Sequence, residues 1–169
     1  MTVAAFFKTS IEEYINKILM YYNDMSNEEI KKSYNNIIMP KRKTKFSAGY
    51  DISCPIDITI QPNEVKFIPT GLTCKMQDDY YLELVIRSSI GIKKRINLVN
   101  QQGIIDADYF HNLDNEGHIL IVIQNNNNKE VTIKSGERIV QGIFHRYYLA
   151  VEDEINEKRV GGIGSTNKK

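Results

Sequence analysis

Tryptophan is absent, and the 169 residues hold only two cysteines, four prolines and three histidines. Cys54 and Cys74 show no metal-ligand spacing, so buried, reduced thiols are expected rather than a disulfide. His111, His118 and His145 fit no ligand pattern either, and are expected as neutral surface or loop residues. No run of about 18 apolar residues occurs, which excludes a transmembrane helix of the usual kind. The opening "MTVAAFFKTSIEEY" lacks a basic start and a sufficient apolar stretch for a secretory signal. The expected compartment is therefore cytoplasmic, or the host cytoplasm if the gene belongs to a phage or virus. An excess of one charge is also missing: 22 Lys and Arg against 21 Asp and Glu leave +1. No global field attracts nucleic acid or membrane, and neither is expected as a partner, although a local basic patch for a small anion is still allowed. The "KRK" at Lys41–Lys43 reads as a solvated turn.

What the chain does have is a change of period. Residues 1 to about 37 are helical in pattern. Ser10 with Glu13 and Ser26 with Glu29 are possible capping boxes, and Ile11, Ile15, Ile18 and Leu19 recur at helical spacing. These helices are expected to pad the outside of the main domain. Pro40 and "PKRKTK" end them. From Ser47 the period becomes two, in "DITI", "VKFI", "YLELVI", "HILIVI" and "EVTI". Gly, Pro, Asn and Asp punctuate these runs, and "QNNNNKE" (Gln124–Glu130) reads as a hairpin loop. Many short strands with no intervening helix predict a β-sandwich or barrel and argue against a βαβ sheet. After Glu152 the chain is polar, ends in "RVGGIGSTNKK", and is expected to move freely in the empty protein.

Five short pieces carry chemistry: "AGYD" (Ala48–Asp51), "RSS" (Arg87–Ser89), "NQQGIIDADY" (Asn100–Tyr109), "GERIVQ" (Gly136–Gln141) and "GGIGST" (Gly161–Thr166). A guanidinium and two hydroxyls at the end of a strand cradle phosphate oxygens. A glycine-rich tail can turn its amides around an anion. In "GIIDADYF" two acids, Asp106 and Asp108, would share one face if the segment were extended. Phosphate cradles together with carboxylates suggest a polyphosphate that travels with Mg²⁺. A P-loop lysine after a strand is lacking, which disfavours an ordinary P-loop NTPase.

The order and spacing of the five pieces resemble the trimeric dUTPase family over roughly residues 36 to 166. "HNLDNEGHI" (His111–Ile119) resembles one branch of it, and the helical region before "IIMPKRKTKFSAGYD" is similar to an extension in some members. The resemblance implies an all-β, jelly-roll-like β-barrel with a short helical N-terminal extension. Residues 1–36 would be the extension and 37–152 the β domain. Residues 153–169 would be a flexible C-terminal arm closing over an active site shared within a homotrimer. The implied reaction is Mg²⁺-assisted attack of water on the α-phosphate of dUTP, giving dUMP and pyrophosphate. That would limit uracil in DNA and supply dUMP for dTMP synthesis.

Carried over position by position, the resemblance makes Asp106 the general base and gives Gln141 the task of orienting the water. Arg87, Ser88 and Ser89 would hold phosphates, and Asp51 the metal through water. Asn100 and the backbone of the "QQGII" hairpin, with Gly103 and Ile105, would read uracil. Tyr109 would pack on the deoxyribose and leave no room for a 2′-hydroxyl, and Asp108 is expected to pair with Arg138. Gly164, Ser165 and Thr166 would approach the γ-phosphate. The tail departs from the family pattern: Lys158 stands where an arginine is usual, Arg159 follows one position later, and Ile163 replaces an aromatic that stacks on uracil. Either Lys158 or Arg159 would contact the γ-phosphate. Two other readings stay open, a dCTP deaminase-like enzyme of the same fold and a regulatory nucleotide-binding protein acting through a partner.

Overall fold

The computed structural model describes residues 2–155 together with 157, 159, 161 and 162. Its first element corrects the helical reading of residues 1 to 37. "AAFFK" is a strand, β1 (Ala4–Lys8), that alternates half-buried and exposed positions. It pairs antiparallel with β5 (Leu72–Met76), Phe6 lying opposite Cys74. Adjacent Phe6 and Phe7 point to opposite faces of the pleat, and aromatics favour an extended chain once a partner strand is at hand.

Two helices follow, α1 (Ile11–Tyr21) and α2 (Asn27–Asn35). Ser10 accepts the Glu13 N–H at 3.1 Å, and Ser26 with Glu29 forms a complete capping box. They are more than outer padding. Tyr14, Ile18 and Ile30 are fully buried and belong to the same core as Ile68, Leu72 and Ile119. Tyr22 Oη donates to the Phe67 carbonyl at 2.7 Å and Tyr34 Oη to that of Thr9 at 2.6 Å, fixing both helices to the sheet side. Each fully buried isoleucine contributes about 1.5–3 kcal/mol of hydrophobic stabilisation, so the helices help hold the domain together.

The remaining strands are β2 (Tyr50–Ser53), β3 (Ile58–Ile60), β4 (Val65–Pro69), β6 (Tyr80–Ile86), β7 (Ile96–Leu98), β8 (Gly103–Asp106), β9 (Leu120–Asn125), β10 (Val131–Ile133) and β11 (Arg138–Arg146). A four-stranded sheet runs β2-β11-β6-β8 and a three-stranded sheet β4-β9-β7, with β3 and β10 as a separate pair. All pairings are antiparallel. Alternate residues, such as Leu82 and Leu84 on β6 and Ile121 and Ile123 on β9, face one apolar core. This is the all-β architecture that the strand pattern predicts, in the jelly-roll-like form that the family resemblance implies.

Two loops differ from expectation. β9 and β10 lie in different sheets, so the asparagine run is a crossing loop and no hairpin. Buried Asn125 organises it, donating to the carbonyls of Ile60 and Lys129, both at 2.9 Å. Residues 99–102 likewise join β7 and β8 of separate sheets. Among the described residues, no helix is long and apolar enough to cross a membrane.

Candidate active site

β6 delivers Arg87 at its end, and β2 and β11 deliver Asp51 and Gln141 beside it, these two being register partners. With Ser88, Ser89, Gly49, Ser47 and Lys43 they line a cavity of 230 Å³. Asp51 is gripped on both oxygens: Arg87 Nε lies 2.9 Å from Oδ1 and Arg138 Nη1 2.7 Å from Oδ2. Arg138 therefore does not pair with Asp108, contrary to expectation. It opens β11 opposite Ser53, whereas Asp106 aligns with Tyr81 and through it with His145. At about 3.3 Å per strand residue that is roughly 20 Å away. Gly49 permits the closeness of Gln141, since a Cβ there would sit 2.3 Å from Gln141 Oε1. Lys43 and Ser47 were missed from the sequence. A basic residue in a turn carries no local sign that it faces a cavity.

A second pocket, 280 Å³ and mostly apolar, lies where the 99–102 loop leaves β7. Asn100, Gly103 and Ile105 line it with Phe67, Leu84 and Leu98. Gly103 lets β8 approach β6, because a Cβ there would already be 3.1 Å from Leu84 Cβ. Its apolar walls suit the faces of a flat ring, and Asn100 is among its lining residues.

The acids form a third group. Asp106 ends β8, and Ala107–Tyr109 turn into a single 3₁₀ turn, so the two carboxylates do not alternate along a strand. Both are held by Arg159: Nη2 pairs with Asp106 Oδ2, and Nε lies 2.8 Å from Asp108 Oδ1. The same guanidinium stands 5.8 Å above the Tyr109 ring. Tyr109 is 7% exposed. Its hydroxyl donates to the His118 carbonyl at 3.0 Å and accepts from Asn115 Nδ2 at 2.7 Å. Burial raises the pKa of that hydroxyl, keeping it a donor at neutral pH. The ring is thus nearly buried, with the Arg159 guanidinium over one of its faces. Lys158, Ile163, Gly164, Ser165 and Thr166 lie outside the described residues.

One chain does not bring the three groups together. Asp106 aligns with Tyr81, and Arg87 is six residues further along β6, which is roughly 20 Å. Among the described residues no cluster of three or more His, Cys, Asp or Glu could hold a metal. His118, expected on the surface or in a loop, lies in the loop before β9 and is fully buried.

A jelly-roll-like domain with an arginine-lined cavity, an apolar ring pocket and a separate carboxylate pair is suited to the phosphates and base of a nucleotide. A family model described as dUTPase matches residues 35–167, and the chain belongs to the dUTPase family. It is 46% identical over 142 residues to the deoxyuridine 5′-triphosphate nucleotidohydrolase of Lactococcus lactis, covering 82% of this chain and 95% of the relative. Among solved structures, the Streptococcus mutans dUTPase superposes with a TM-score of 0.64 at 35% identity, over 77% of this chain and 95% of that one. A mutant dUTPase of Staphylococcus aureus phage phi11, described as coordinating a structural Mg(II) ion, shares the fold at a TM-score of 0.61 and 22% identity. That match covers 72% of this chain and 92% of the phage protein.

Proposed function

We propose that the protein hydrolyses dUTP to dUMP and pyrophosphate in a homotrimer whose sites are assembled from different copies. The observation that carries this reading is the roughly 20 Å between Asp106 and Arg87 within one chain. A water held by Asp106 cannot reach a phosphate held by Arg87 of the same copy. A second copy can supply the missing half, and closed rotational assemblies are the common solution for shared sites.

In this reading one copy gives the apolar pocket, with Asn100, Gly103 and Ile105 around uracil, together with Tyr109 and Asp106. A neighbour gives Arg87, Ser88, Ser89 and Gln141. Gln141 orients a water, Asp106 takes its proton, and the water oxygen bonds to the α-phosphorus as the bond to the bridging oxygen breaks. Pyrophosphate carries the displaced electron pair away. The guanidinium of Arg87 and the two serine hydroxyls stabilise the charge on the phosphates. The arm, through Lys158 or Arg159 and then Ile163, Gly164, Ser165 and Thr166, closes over the triphosphate. Arg159 must leave Asp106 before that carboxylate can act, and a triphosphate offers it a more highly charged partner.

Mg²⁺ fits the donor set only in the manner of an ion held by substrate. Asp51 has both oxygens in arginine pairs, so it would reach the ion through water, with phosphate oxygens as the direct ligands. Bound there, the ion would neutralise triphosphate charge. The two free, buried thiols support the cytoplasm as compartment.

The test is pyrophosphate release with Mg²⁺ across dUTP, dCTP, dTTP and UTP, with ammonia followed in parallel. Release from dUTP above the other three is expected, and Asp106→Asn should lower kcat by roughly 10²–10⁴ while KM changes little. Ammonia from dCTP in place of pyrophosphate from dUTP would identify a deaminase and sink the reading.

A further inference from the structure

Both helices begin with the sequence Ser-x-x-Glu, and the structure uses the two copies differently. At Ser26 the motif closes on itself. Glu29 Oε2 accepts the Ser26 N–H at 2.9 Å, and Ser26 Oγ accepts the Glu29 N–H at 3.3 Å. At Ser10 the reciprocal half is taken by a residue from elsewhere: Glu116 accepts both the Ser10 N–H and its hydroxyl at 2.7 Å. Glu13 is thereby released from capping α1. Its Oε1 lies 3.1 Å from His118 Nδ1 and 4.0 Å from Lys17 Nζ.

The His118 side chain has no exposed surface, and that of Glu13 is 10% exposed. His118 Nε2 accepts the Gly71 N–H at 2.8 Å, so in the neutral ring the proton sits on Nδ1 and is donated to Glu13. Burial lowers the His118 pKa against the opposing pull of Glu13. The ring is thus fixed at both nitrogens, and its backbone is fixed to the tyrosine of the site. The His118 carbonyl accepts the Tyr109 hydroxyl, and its N–H donates to the Asn115 carbonyl at 2.8 Å. Asn115 Nδ2 in turn donates to the same hydroxyl at 2.7 Å. The intervening loop has no slack. Gly117 has φ +76°, and a Cβ on it would lie 2.5 Å from the Tyr109 carbonyl oxygen.

We propose that Glu13, on the helical insert, is a positioning residue for sugar selection, acting through His118 on Tyr109; this rests on the reading of Tyr109 as the wall of the deoxyribose site. A wall excludes an extra hydroxyl only if it cannot retreat. Refusing one oxygen requires the ring to be held to within a fraction of an ångström. Glu13 contributes by pinning the histidine that anchors the Tyr109 hydroxyl, which couples α1 to the choice between dUTP and UTP.

Pyrophosphate release from dUTP and UTP, measured with full-length wild type, Glu13→Ala, Glu13→Gln and Tyr109→Ala alongside thermal unfolding, tests this. Glu13→Ala should lower the ratio of kcat/KM for dUTP over UTP by roughly tenfold. Glu13→Gln, whose Oε1 still accepts from Nδ1–H, should restore the ratio. If Glu13→Ala does not fold, Glu13→Asp, which withdraws the carboxylate by one methylene, replaces it with the same expected direction. An unchanged ratio in the folded Glu13 variant, whatever its melting temperature, overturns the proposal. An unchanged ratio in Tyr109→Ala sinks the sugar-site reading beneath it. A changed ratio in Tyr109→Ala with none in the Glu13 variant removes Glu13 alone.

Discussion

A single methyl group at position 49 has no space. The Cβ of an alanine would fall 2.3 Å from Gln141 Oε1 and 2.9 Å from Gln141 Cβ, so the amide must swing away. Gly49→Ala should therefore lower kcat for dUTP by about 10²-fold, the usual scale for misplacing a group by an ångström. KM should move little, because Arg87 and the two serines are untouched. Steady-state kinetics separate the two quantities, and an unaffected kcat would remove Gln141 from the water-orienting role. At this scale much of the site was legible. Arg87, Ser88 and Ser89 follow a strand directly, and the cavity gathers them with Asp51 and Gln141. The partner of Asp108 was not legible. Whether Arg138 or Arg159 reaches it depends on how far β8 and β11 are offset across β6, and neither segment states its register. The diversion of Glu13 was equally hidden, since Ser10-x-x-Glu13 and Ser26-x-x-Glu29 read alike until Glu116 is brought beside one of them.

Among the elements, α1 is the one whose role changes most between sequence and structure. Its periodicity gave a helix, and the helix forms over Ile11–Tyr21. Its weight in the core is set by what covers it. Ile18 is fully buried in the common core, on a helix that packs against α2 and β4. Ile18→Ala should cost about 2–5 kcal/mol, the range for emptying a buried large aliphatic site. Denaturant unfolding should show this as a lower midpoint in a single transition. A separate early transition would mean that the helices fold apart from the sheets. β1 escaped sequence reading for a physical reason. Its four apolar residues in a row carry no alternation to set them apart from the start of a helix, and the edge that pairs with them, Leu72–Met76, lies far along the chain.

For the whole molecule, the distance between Asp106 and Arg87 turns into a prediction about mixtures. Asp106→Asn and Arg87→Ala are each expected to be nearly inactive alone. If sites are shared as proposed, co-expression in equal amounts should give mixed assemblies in which some sites draw an intact carboxylate from one copy and an intact guanidinium from another. With independent assortment, activity should recover to roughly a quarter of wild type. Mixtures no more active than their parents would mean that each site is complete within one copy. The sequence carried no sign of this separation except through resemblance, because ordered motifs say nothing of which chain supplies them.

Cys54 and Cys74 are free and buried, and burial raises both thiols to about 12. Neither forms appreciable thiolate at neutral pH while the fold is closed. One lies just after β2 and the other sits on β5 opposite Phe6 of β1, and both belong to the common core. The molecule carries, in effect, two silent alarms: a chromogenic thiol reagent stays colourless over the intact protein, and the pace at which colour develops reports how often the core around each thiol opens.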